Sequence, residues 1–257
     1  MKVRDIYNLL DKAAPFSLQD KSDNSGLLIG DLDRDVTKIA LCLDVTSECI
    51  AEAVLKGANL IVTHHPIIRK PLSSISFSER VAQLIKHDIA VISAHTNFDM
   101  ARMSDILLKY LGLSSDGADV LQPVHANGYG YGKFVDTETP FDADGFATRV
   151  KAALGCNIIR YTKGRDEIRR IAVCSGAGGD LYEAAIAKGC DALVTGDVKH
   201  NQWVGANAAG LALFDAGHFH TENVFCEEMQ SVICARFGEN AAFICDNSKD
   251  PVLYIVD

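Results

Sequence analysis

At 257 residues, 48% of them hydrophobic and 23% charged, the chain can form one large globular domain or two modest ones with ample core. A formal charge of −9 argues against nonspecific binding to nucleic acid or an anionic membrane surface, since both need a basic face. No apolar run approaches the ~20 residues that span a bilayer, and the N-terminus lacks the unbroken apolar stretch of a signal peptide, so a cytoplasmic location is expected.

The first element is helical, because Val3, Ile6, Leu9 and Leu10 recur at helical spacing in MKVRDIYNLLDKAA with charges between them. From residue 39 onward, short apolar runs (KIALCLDV, ANLIVT, IAVISA, RRIAVCS, DALVTG, LALFDA) alternate with helical segments such as SECIAEAVLKG and DLYEAAIAKG. That alternation predicts an α/β fold with mixed, largely parallel sheets. Residues 39–65 also lie over residues 171–197 without a gap, an offset of 132 (171 − 39). Each copy reads strand, turn, helix ending at Gly57 or Gly189, strand and polar loop, and both glycines suit a left-handed cap. The expectation is two similar α/β lobes arising by internal duplication, residues 1–124 and 125–257, with HANGYGYGKF (125–134) as a linker or edge hairpin. Chance similarity between two ordinary βα units is the alternative. The eight cysteines show no CxxC spacing and read as buried or partly buried free thiols.

Sites in open α/β sheets form outside the carboxyl ends of the strands. Four loops qualify: His64-His65-Pro66, His95 to Asp99, Thr195-Gly196-Asp197, and His218 to Glu222. Five of the eight histidines (His64, His65, His95, His218 and His220) fall in them. Imidazole and carboxylate without thiolate suit Zn²⁺, Mn²⁺, Fe²⁺, Co²⁺ or Ni²⁺. Successive residues on a strand face opposite ways, and Pro66 biases His65 toward an extended conformation. The adjacent histidines are therefore expected to splay and to serve two ions, one imidazole each, as in two-metal hydrolytic sites. SGAGGD (175–180) is either a phosphate cradle at a helix start or a tight βα turn. Arg69 and Lys70, in the serine-rich stretch after HHP, could neutralise an anionic substrate or form a solvated loop face. There is no GxSxG elbow and no thiol beside a strand-end histidine, so nothing supports a catalytic triad.

Taken together, NSGLLIGD, VTHHPI, AHTNFD, VTGDVKHN and DAGHFHTE, in this order and over essentially the whole chain, resemble the GTP cyclohydrolase 1 type 2 homolog family (Nif-three-like proteins). The resemblance implies two similar lobes with a dinuclear metal site in the cleft between them, and assembly as a homohexamer. Residue by residue, it implies that His64 and Asp99 bind one metal, that His65 and His218 bind the other, and that Glu222 bridges them. His95 would orient a ligand or water, which with Glu222 makes the catalytic pair, while Asp197 and Lys199 would line the cleft. The chain departs from the family pattern after Asp99, where a helical stretch replaces a glycine-rich one, and at Asn201, where relatives often carry histidine. The activity implied is hydrolysis of a small, nucleotide-like substrate through a metal-bound hydroxide, with two divalent ions as cofactors. A metal-binding interaction protein or metallochaperone without turnover is the alternative from a different class.

Overall fold

The computed structural model describes residues 1–255. In chain order the elements begin with α1 (Val3–Ala13), β1 (Gly26–Ile29), β2 (Ile39–Cys42), α2 (Ser47–Leu55), β3 (Leu60–Thr63), α3 (Arg80–Lys86) and β4 (Ala90–Ser93). A short helix, α4 (Thr96–Phe98), runs through a π-helical turn (Asp99–Met103) into α5 (Ser104–Tyr110). Then come β5 (Asp119–Pro123), β6 (Gly130–Phe141), α6 (Ala143–Leu154), β7 (Arg160–Tyr161), β8 (Ile168–Val173), α7 (Tyr182–Ala187) and β9 (Ala192–Thr195). The last elements are α8 (His200–Ala208), β10 (Ala212–Asp215), α9 (His218–Glu222), α10 (Val224–Phe237) and β11 (Ala242–Ile244).

These elements form two compact units. The first comprises Met1–Ala101 and Phe225–Lys249, around a five-stranded sheet of order β1-β4-β3-β2-β11. β4, β3, β2 and β11 run parallel, and β1 is antiparallel to β4. Every residue of β2, β3 and β4 is buried, as a parallel sheet covered on both faces requires. Helix α1 turns Val3, Ile6 and Leu10 inward, close to the spacing read from the sequence. Thr46 starts α2 by accepting from the Cys49 amide at 3.1 Å, and Gly57 follows the helix with φ of 72°, a conformation that glycine adopts without a Cβ penalty.

The second unit comprises Arg102–Val224 and the segment from Asp250, around a sheet of order β5-β6-β8-β9-β10-β7. β8, β9 and β10 are parallel, β7 is antiparallel to β10, and the β5–β6 hairpin adds to β8 antiparallel. The stretch around residues 125–134 is thus the turn and start of an edge hairpin. One face of the sheet is buried under α5 and α6 through Leu107, Leu108, Phe146, Val150 and Phe214. Gly189 ends α7 with φ of 70°, matching Gly57. The strand order and sense β1-β4-β3-β2 recur here as β7-β10-β9-β8.

The units divide the chain differently from a cut at 124/125. Helix α5 belongs to the second unit because Leu107, Leu108 and Leu111 enter its core. The chain then returns to the first unit through α10 and β11, with Ala242, Phe243 and Ile244 pairing with Ile39, Ala40 and Leu41. All eight cysteines are free, and all except Cys234 are buried. Among the described residues, no helix is long and apolar enough to cross a membrane.

Candidate metal-binding site

In the first unit the parallel strands deliver polar residues to one edge of the sheet. Asp44 lies two residues past β2, His64 and His65 directly follow β3, and His95 lies two residues past β4. Because β1 is antiparallel to β4, with Gly26 opposite Ser93, the segment entering β1 arrives at the same edge and brings Asp23. The short helix after His95 then supplies Asp99.

Each imidazole of this group is fixed through Nδ1. His64 Nδ1 donates to the Ala94 carbonyl at 2.8 Å, His65 Nδ1 to Asp44 Oδ1 at 2.8 Å, and His95 Nδ1 to Asp23 Oδ1 at 2.9 Å. A neutral ring that donates from Nδ1 offers Nε2 as a lone-pair donor, which is how metal-ligating histidines are usually held. One nitrogen from each of His64, His65 and His95 lies within 4.8 Å of the others, and His64 Nε2 is 3.4 Å from Asp99 Oδ1. The expected splaying of the adjacent pair does not occur. The His64 and His65 rings are 5.1 Å apart and tilted by 44°, because the Ala94 carbonyl and Asp44 turn them toward one another. His64 is completely buried, with Phe225 5.2 Å from its ring.

Asp23 anchors this arrangement. Its Oδ2 accepts from the Thr96 amide and hydroxyl at 3.1 and 2.6 Å and from the Ser25 hydroxyl at 2.9 Å. The Ser25 hydroxyl in turn accepts from the His95 amide at 3.1 Å. Burial pushes the Asp23 carboxyl up, but hydrogen bonds from His95 and Thr96 outweigh that and hold it well below the usual carboxylate range.

In the second unit, Ser175 and Gly176 follow β8, Asp197 lies two residues past β9, and His218 opens α9 after β10. His218 and Glu222 share one face of α9 at i,i+4 spacing, with Nε2 2.9 Å from Glu222 Oε2, while His218 Nδ1 donates to Asp197 Oδ2 at 2.8 Å. The hydrogen bond to Glu222, reinforced by that to Asp197 and opposed by burial, raises the His218 pKa to about 9. Without a metal the ring is an imidazolium held between two carboxylates. Gly176, with φ of 59°, makes room for Glu222: a Cβ there would collide with Glu222 Oε1.

Other candidates fall elsewhere. Asp197, expected to line a substrate cleft, is the partner of His218. Lys199 is exposed, with Nζ 3.8 Å from Asp180, and Arg69 and Lys70 are exposed on the loop after β3. His220 turns to Asp250, 3.4 Å away. SGAGGD is a tight turn whose space is filled by protein: the buried Gln202 lies over Gly179, its Nε2 donating to Asp180 at 2.5 Å and its Oε1 accepting from the Lys199 amide at 2.6 Å. Asp23 and Asp44 were not among the predicted site residues. Asp44 carried a faint signal as a carboxylate directly past an apolar strand, whereas Asp23 carried none, since only the β1–β4 pairing brings it to His95.

Nitrogen and oxygen donors with no thiolate among them fit a borderline divalent ion, and imidazoles steered by carboxylate and carbonyl acceptors fit the same use. A family profile described as Duf34/NIF3 (NGG1p interacting factor 3) matches residues 1–251. A Clostridium perfringens protein named GTP cyclohydrolase 1 type 2 homolog is 33% identical, over 99% of this chain and 100% of its own. A Helicobacter pylori protein named GTP cyclohydrolase 1 type 2 is 29% identical, over 98% and 99% of the two chains. The crystal structure of a Staphylococcus aureus hypothetical protein superposes with a TM-score of 0.87 at 28% identity, covering 99% of both chains. That of a Bacillus cereus protein related to NIF3 gives 0.87 at 23% identity, also over 99% of each, and at that identity speaks for the fold alone.

Proposed function

The chain belongs to the Duf34/NIF3 family, and from that premise we propose that it is a dinuclear, divalent-metal-dependent hydrolase acting on a small, nucleotide-like substrate. The recurring strand order supports internal duplication, each copy contributing one group of donors to a shared centre. In this reading His64 and Asp99 hold one ion, His65 and His218 hold the other, and Glu222 serves both. Homohexameric assembly belongs to the same proposal, and particle mass in solution tests it. The nucleotide-like substrate comes from the name GTP cyclohydrolase 1 type 2 carried by the Helicobacter pylori relative.

The observation that carries the proposal is the tethering of four strand-end histidines through Nδ1, by Ala94, Asp44, Asp23 and Asp197. Structural histidines have no need of four such acceptors at corresponding strand ends, while metal ligands do. Paired divalent ions, when bound, supply an acidified water and stabilise charge developing on the substrate. The chain supplies the rest. Asp23 fixes the His95 ring so that Nε2 can orient a ligand or exchange a proton, and Glu222, which pairs with His218 Nε2 in the metal-free chain, would supply carboxylate charge to the ions. In this reading Arg69 and Lys70, on the exposed loop after β3, would neutralise an anionic group of the substrate.

The test is metal content and turnover. Wild-type protein, His65→Ala and Glu222→Ala are analysed for bound metal and assayed on GTP and a panel of other phosphorylated compounds. Metal-dependent turnover in the wild type that falls at least ~100-fold in both variants is expected, and equal activity in all three would sink the reading. Stoichiometric, exchangeable metal without turnover on any compound would leave the non-catalytic metal-binding protein as the function.

A further inference from the structure

Asp215 is the last residue of β10, and its side chain is 3% exposed. A buried carboxylate is costly unless its oxygens are hydrogen-bonded, and here the bonds go to two particular places. Oδ2 accepts from the Val198 amide at 3.1 Å, and Oδ1 accepts from the Gly217 amide at 3.0 Å. Val198 follows Asp197, and Gly217 precedes His218. One carboxylate is therefore bonded to the backbone immediately beside each member of the Asp197–His218 pair. Asp197 has φ of 54°, a left-handed conformation that residues other than glycine hold only where neighbouring structure enforces it. The bond to Val198 is such a restraint, one residue away.

We infer that Asp215 is a positioning residue for the His218 imidazole. It sets the loops after β9 and β10 in register, so that Asp197 meets Nδ1 and Nε2 is delivered to Glu222. This rests on the reading of His218 and Glu222 as metal ligands. The end of β4 supports it independently. There the last strand residue, Ser93, is also fully buried, and its hydroxyl donates to the His64 carbonyl at 2.7 Å. In both sheets, a buried polar side chain closing one parallel strand ties down the site loop that follows its parallel neighbour.

The competing role for Asp215 is to neutralise Arg160, its partner on β7. Arg160 is 59% exposed and stands over the Trp203 ring at 5.7 Å, so water solvates most of its charge. Salt bridging alone would not explain why both loop amides converge on the same side chain.

The experiment uses the full chain with Asp215→Asn and Arg160→Gln. In metal-free protein at fixed pH, ¹⁵N-edited NMR of the histidine side chains, assigned with His218→Gln, reads the solvent protection of the His218 Nδ1 proton. Protection is expected in the wild type and in Arg160→Gln and is expected to be lost in Asp215→Asn. Zn²⁺ titration against a competing chelator then reads the zinc bound only when His218 is present. Its affinity should fall about 10–100-fold in Asp215→Asn, the usual cost of losing a group that holds a ligand, and stay within about threefold of wild type in Arg160→Gln. Wild-type protection together with wild-type zinc affinity in Asp215→Asn overturns the inference. If the wild type binds no zinc, the metal reading fails, and the NMR measurement still decides the role of Asp215. Should Asp215→Asn not fold by circular dichroism, Asp215→Ser, which retains one acceptor, is read the same way, and retention of the protected proton overturns the inference.

Discussion

Replacing Asp23 with alanine asks whether the segment before β1 is part of the site's scaffold. The Asp23 side chain is 4% exposed and accepts four hydrogen bonds, from His95 Nδ1, the Thr96 amide, the Thr96 hydroxyl and the Ser25 hydroxyl. The hydroxyls can rotate to other acceptors, but the Thr96 amide and the His95 Nδ1 proton cannot. A donor stranded away from water costs ~1–3 kcal/mol, so two of them put the loss in Asp23→Ala at ~2–6 kcal/mol. Asp23→Asn retains one acceptor oxygen and should fall near the lower end of that range.

The pH dependence gives this prediction its sharpest form. Burial alone would raise the Asp23 pKa, but the bonds from His95 and Thr96 hold it far below the ordinary carboxylate value. A carboxylate depressed in the folded state stabilises above its unfolded pKa of ~3.9, and that contribution is lost as pH falls through the folded value. In urea titrations the gap between wild type and Asp23→Asn should hold steady from about pH 8 to about pH 4 and narrow below it. A loss under ~1 kcal/mol in Asp23→Ala at neutral pH, or a gap that stays constant into strong acid, would refute the reasoning.

The second unit makes the opposite pH prediction. His218, raised to about 9 by Glu222 and Asp197, stabilises metal-free protein fully below ~6.5, and the contribution disappears as pH rises through about 9. Because a metal must displace that proton, the affinity of the His218-dependent site should climb about tenfold per pH unit from about 7 to about 9 and then level off; a flat profile in chelator competition would contradict this. Gly176→Ala places a methyl against Glu222 Oε1, so it should cost ~1 kcal/mol from the left-handed backbone and reduce metal content; full stoichiometry by elemental analysis would count against the role given to Glu222. Glu52 provides the control. It is buried, and although burial raises its pKa, bonds from Lys56, Asp246 and Asn247 bring it down to about 2. Glu52→Gln should lose ~1–3 kcal/mol by loosening the segment after β11 while leaving metal content unchanged.

The candidate histidines were legible because they follow short, largely apolar strands, where a histidine is conspicuous. What the sequence hides is whatever depends on long-range pairing. Asp23 reaches His95 only because β1 runs antiparallel to β4, and the unit boundary follows α10 and β11 back to the first sheet, which no local pattern announces. The splaying expected of His64 and His65 failed for a related reason. Strand alternation governs where side chains leave the backbone, but the Ala94 carbonyl and Asp44 decide where the rings end up.

If the two units arose by duplication, the offset of 132 (171 − 39) sets Asp44 opposite Gly176 and His65 opposite Asp197. In the first copy the carboxylate after the first strand (Asp44) holds a histidine after the second (His65). In the second copy the carboxylate has moved to the second position (Asp197), where it holds His218 from the third strand. The first position has become Gly176, leaving the space that Glu222 occupies. Each copy thus keeps a carboxylate that steers a histidine, with the two roles shifted by one strand. Divergence of that kind would turn two similar folds into units with different donors, one rich in imidazole and the other pairing an imidazole with a carboxylate.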